Sequence, residues 1–113
     1  GNPLDSDEVE EEVEIPESLL RRGEHFGLRV RGDSMLDDGI QDGDLLVVQS
    51  RDTADIGQTV VALVEGEATV KRFYRQGQKI ELRPANEAFE PIVTDPTAVQ
   101  IRGVVVGLMR SFA

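Results

Sequence analysis

The chain has 113 residues, a net charge of −10 and no cysteine, which suits one domain of ordinary size and a reducing, cytoplasmic setting. The acidity argues against this stretch gripping a nucleic-acid backbone, because that binding rests on neutralising phosphates. A single histidine makes a structural zinc site untenable, no apolar run approaches the roughly 20 residues that span a bilayer, and no secretory leader opens the sequence.

Residues 1–14 (GNPLDSDEVEEEVE) carry carboxylates at Asp5, Asp7, Glu8, Glu10, Glu11, Glu12 and Glu14. Like charges repel and little can be buried, so the stretch reads as a solvated, mobile tail or at best an edge strand. Residues 15–20 then read as a short turn of helix leading into the domain, which is expected over 21–113.

From His25 onward the sequence reads as strand. Phe26, Leu28 and Val30 alternate with Gly27, Arg29 and Arg31, a half-buried pattern of period two. Leu45 to Val48 is a continuous apolar run, expected to be buried on both faces. Thr59 to Val64, the Glu65-Gly66 connection and Glu67 to Tyr74 predict a hairpin. A turn at Gln76-Gly77 leads to Lys79–Arg83, which Pro84 stops. Val99–Leu108 is a long apolar closing strand. Hydrophobic residues make up 39 %, with four Phe, one Tyr and no Trp. Val, Ile and Leu at this spacing predict an all-β protein with little helix, a compact, partly open barrel or folded sheet.

One short stretch asks for chemistry. In RGDSMLDDG a lone serine, Ser34, sits on a Gly-rich turn at the end of an apolar strand. A serine hydroxyl is a poor nucleophile without a neighbouring base. The sole histidine, His25, lies nine positions upstream on the Phe26 strand and reads as an ordinary strand-start residue. Asp33, Asp37 and Asp38 read as turn caps. The remaining candidate is Lys71 in EATVKRFY, which shares a strand face with Thr69 and Phe73. A lysine accepts a proton only when neutral. Bringing it from about 10.4 to about 7 costs about 5 kcal/mol of ammonium solvation, comparable with the whole stability of a small domain, about 5–15 kcal/mol. Taken singly, Lys71 reads as a solvent-reaching lysine and Ser34 as a turn residue.

The pair in its context reads differently. LRVRGDSMLDDGIQDGDLLVV followed by GEATVKRF resembles the catalytic core of the LexA-type self-cleaving peptidases, which include LexA repressors, UmuD-type polymerase subunits and lambda-like phage repressors. The resemblance runs from about Phe26 to Arg110, and Ser34 and Lys71 stand 37 positions apart, a spacing that suits the family's Ser–Lys dyad. It implies Ser34 as nucleophile, Lys71 as general base and backbone N–H groups of Ser34 and Met35 as an oxyanion hole. Gly32 would serve the tight turn; Gly39, Gly43 and Asp44 would be architecture. No cofactor or metal is implied.

GQKIELRPANEAFEPI and IRGVVVGLMR look closer to LexA than to UmuD. The implied role is the catalytic and dimerising half of a repressor of the SOS response to DNA damage. It would cleave itself at an Ala-Gly bond when stimulated by RecA on single-stranded DNA. DNA would be bound only through an N-terminal helix-turn-helix domain that this chain lacks. In LexA a G-x-P-L sequence follows the cut, and GNPL opens this chain, so Gly1 is expected to be the residue created by cleavage and 1–20 the remnant of the cleavage region. A homodimer is expected through the closing strand, taken as an unpaired apolar edge. A processed UmuD-like subunit is one alternative. The other is a non-catalytic β interaction domain in which Ser34 and Lys71 are incidental.

Overall fold

The computed structural model describes residues 4–12 and 24–110. Among these residues, eight strands form one antiparallel sheet: β1 (Val9–Glu12), β2 (His25–Val30), β3 (Leu45–Ser50), β4 (Thr59–Val64), β5 (Glu67–Gln76), β6 (Lys79–Arg83), β7 (Ile92–Thr94) and β8 (Val99–Met109). Their spatial order is β1-β2-β3-β8-β4-β5-β6-β7. Among the described residues, helix is confined to two single 3-10 turns, Leu36–Asp38 and Pro96–Ala98. The all-β expectation holds.

The hydrophobic pattern explains the layers. Leu45 to Val48 are all buried, with Leu46 and Val48, which share one face of the strand, entering the first core. One core gathers Leu28, Leu46, Val48, Val61, Ala68 and Val70 with Leu4, Val9 and Met35. The other gathers Val60, Ala62, Phe73, Ile80, Leu82 and Val104. The hairpin of β4 and β5 forms as read, in register from Val64↔Glu67 to Thr59↔Arg72. The short β7, which joins β6 through Ile92–Thr94, has no sequence signal beyond three β-formers after a proline.

The N-terminal stretch takes the edge-strand form of its two readings, and the closing strand departs from the edge expected of it. The acidic N-terminal stretch forms edge strand β1 over Val9–Glu12, paired with β2, and its Leu4 and Val9 are buried in the first core. Alternation accounts for it: Val9 points inward, while Glu10 and Glu12 meet Arg31 and Arg29 across the strand pair. The closing strand is interior, not an edge. β8 pairs with β4 over Val99–Val104 and with β3 over Gly103–Met109, so its one-sided stretch on the β4 flank is limited to Val105–Met109. Register shifts against both partners bend the strand between the two halves of the sheet. Gly103 marks the crossing: a Cβ there would lie 2.7 Å from the Gln49 carbonyl oxygen. The expected helix at 15–20 and the expected cleavage terminus Gly1 lie outside the described residues.

Candidate functional site

Ser34 lies in the loop joining β2 to β3, and several unrelated bonds hold that loop. Gly32 enters it at φ +87°, the left-handed region that favours glycine, and its N–H donates to Asp42 Oδ1 at 2.8 Å. Met35 is buried beneath the turn. The segment after β6 clamps the far side. Ala85 N–H donates to the Ser34 carbonyl at 2.8 Å, Asp37 N–H to the Ala85 carbonyl at 2.7 Å, and Asn86 Nδ2 to the Asp33 carbonyl at 2.8 Å. At the loop's end Asp44 is buried. It accepts the Gln41 N–H at 2.7 Å and two bonds from Arg110 at 2.7 Å. Those Arg110 bonds outweigh burial and hold the Asp44 carboxyl below the usual carboxylate range.

Lys71 comes from β5, opposite Val60 of β4. Only 4 % of it is exposed, so it does not reach solvent from a strand edge. Its Nζ lies 3.3 Å from Ser34 Oγ. The two residues therefore meet across loop and strand, within the looser range of hydrogen-bond contact seen in substrate-free sites. Thr69, two residues back on the same face of the strand, accepts from Nζ at 2.6 Å. Glu8 completes the cluster. Its Oε1 accepts from Nζ at 2.6 Å and from Thr69 Oγ1 at 3.0 Å, and lies 3.5 Å from Ser34 Oγ.

His25 sits at the far end of β2, opposite Gln49, and is no neighbour of Ser34. The amides of Leu36 to Ile40 are bonded to protein carbonyls. Those of Ser34 and Met35 have no such bond among the described residues.

The sequence is similar to known proteins along nearly its whole length, and residues 2–106 match the model of the Peptidase S24-like family. The chain belongs to that family. The S24-like chain is 54 % identical over 112 residues to a LexA repressor of Syntrophobacter fumaroxidans, covering 99 % of this chain and 54 % of the relative. It is 52 % identical over 113 residues to a LexA repressor of Syntrophotalea carbinolica, covering 99 % of this chain and 56 % of the relative. The chain thus spans about half the length of the curated relatives it matches. These matches support the LexA resemblance read from GQKIELRPANEAFEPI and IRGVVVGLMR. None of the described helices is long and apolar enough to cross a membrane.

Sequence reasoning missed Glu8 and the use of Thr69. Thr69 was legible, since i and i+2 share a strand face. Glu8 was not. Seven carboxylates crowd the first 14 positions, and nothing local singles out the one that packs on β5.

Proposed function

We propose that this chain is the catalytic and dimerising domain of a LexA-type repressor, and that it cleaves its own polypeptide by a Ser34–Lys71 dyad. The observation that carries the reading is the 3.3 Å approach of Lys71 Nζ to Ser34 Oγ in a site that buries the amine. Neutral Lys71 takes the Ser34 proton as Oγ attacks the scissile carbonyl carbon. Charge on the carbonyl oxygen is met by the Ser34 and Met35 amides. The ammonium then returns the proton to the leaving amine nitrogen as the peptide bond breaks, leaving an acyl ester on Ser34 that water hydrolyses.

Docking of the cleavage segment keeps water from the already buried Lys71 as it covers Ser34, so shielding the amine and presenting the peptide bond are one event. A segment that docks rarely gives a latent enzyme, and a partner preferring the docked state raises its population without adding a catalytic group. In the SOS response that partner would be RecA on single-stranded DNA. Cleavage would separate this half from a DNA-binding half and remove the linkage between two half-site contacts. Dimerisation would use Val105–Met109 of β8, whose β4 flank has no partner strand among the described residues and where Leu108 and Met109 are exposed. The 52 % and 54 % identities to LexA repressors favour this over a UmuD-like subunit.

The test is labelling with a serine-directed fluorophosphonate, and self-cleavage in a full-length repressor carrying this domain, across a pH series. Both should rise with pH and vanish in Ser34→Ala and Lys71→Ala. An unchanged rate in Lys71→Ala removes the base and leaves the interaction-module reading.

A further inference from the structure

We propose that Glu8 is a charge brake on the dyad, holding Lys71 as an ammonium until the segment ahead of β1 moves. The inference rests on the dyad reading above. An ammonium has three N–H bonds, and Nζ has three oxygen neighbours: Glu8 Oε1 at 2.6 Å, Thr69 Oγ1 at 2.6 Å and Ser34 Oγ at 3.3 Å. With every hydrogen directed at an acceptor, no lone pair faces the serine. The shortest contacts are those to Glu8 and Thr69, and a carboxylate bond to a charged donor is the stronger kind.

The brake is fastened by its neighbours. Ser6 Oγ donates to the Ala68 carbonyl at 2.7 Å and accepts from the amides of Glu8 at 3.1 Å and Val9 at 3.3 Å. The Glu8 carbonyl accepts from Arg31 N–H at 2.7 Å. Leu4 and Val9, both buried, anchor the segment on either side. Nearby carboxylates are engaged elsewhere: Asp5 accepts the Glu11 amide, Glu10 pairs with Arg31, Glu12 with Arg29 and Asp38 with Arg72. β4 sets apolar Val60 opposite Lys71, and Thr69 and Ser34 are neutral. Among the described residues, Glu8 is therefore the charged group bonded to the amine.

Glu8 Oε1 also lies 3.5 Å from Ser34 Oγ, so a polypeptide reaching the serine must displace it. Substrate entry and release of the base thereby become one movement. Glu8→Gln keeps the shape and removes the charge.

The experiment follows fluorophosphonate labelling of the chain from neutral to alkaline pH, in wild type, Glu8→Gln and Ser6→Ala, with thermal unfolding of each. Glu8→Gln should label about tenfold faster near neutrality, with the rising limb moved to lower pH and the alkaline plateau unchanged. Ser6→Ala, which loosens the segment and keeps the charge, should move the limb the same way by less. A wild-type profile in both variants, or slower labelling by Glu8→Gln across the range, overturns the brake and leaves the dyad standing. No labelling of wild type or Glu8→Gln at any pH overturns the dyad, and the brake with it.

Discussion

Asp38 and Arg72 form a two-pronged ion pair, with Nε to Oδ2 at 2.7 Å and Nη2 to Oδ1 at 2.6 Å. It ties the loop of Ser34 to the strand of Lys71. Arg72 directly follows Lys71, and Asp38 closes the 3-10 turn that comes after Ser34. The planar fork fixes direction as well as distance. Since Arg72 is well exposed, the pair's stability value is small, about 0–1 kcal/mol. Its value for geometry is larger.

Arg72→Ala and Asp38→Ala should each slow fluorophosphonate labelling about tenfold, since even a small misplacement of reacting groups is costly, while thermal stability barely changes. The exchange Asp38→Arg with Arg72→Asp should recover part of the rate. A proportional loss of stability and rate would instead make the pair a simple structural brace.

The Asp44–Arg110 pair predicts a pH dependence of stability. Because the folded Asp44 carboxyl is held below its ordinary range, its contribution is fully present well above the unfolded aspartate value of about 3.9. It is lost as pH falls through the depressed folded value. Chemical unfolding of wild type and Asp44→Asn should therefore differ most at neutral pH, and the two should converge below about pH 4. Arg110→Ala should lower the melting temperature at neutral pH, because it leaves a buried carboxylate without its cation. It also removes the bond from Arg110 to the Gly39 carbonyl at 2.9 Å, so labelling of Ser34 should slow as well.

Gly103→Ala tests the crossing of β8. A methyl group 2.7 Å from the Gln49 carbonyl oxygen forces β3 and β8 apart, at a cost of about 1–3 kcal/mol. Denaturant unfolding should show the loss as a lower midpoint.

Dimerisation through the one-sided stretch of β8 predicts that Leu108→Glu with Met109→Glu gives a monomer in sedimentation experiments. The melting temperature of the isolated subunit should change little, since both side chains are already more than one third exposed. A dimer of unchanged strength would place the interface elsewhere.

Composition and period determined a good deal. A Val-rich, period-two pattern with Gly turns dictates sheet, since alternate side chains must face a core and only a pleated strand provides that period. The Ser34 and Lys71 positions were legible through their flanking motifs, which carry family likeness. Only the tertiary structure decided the rest. The burial of Lys71, the closeness of Glu8 and the interior place of β8 depend on contacts between residues far apart in the chain. β1 and β5 meet because the sheet folds back on a shared core that takes up Leu4, Val9, Ala68 and Val70. Local sequence carries no record of that meeting: a carboxylate bound to solvent and one bound to an amine are the same letter until the backbone brings the amine to it.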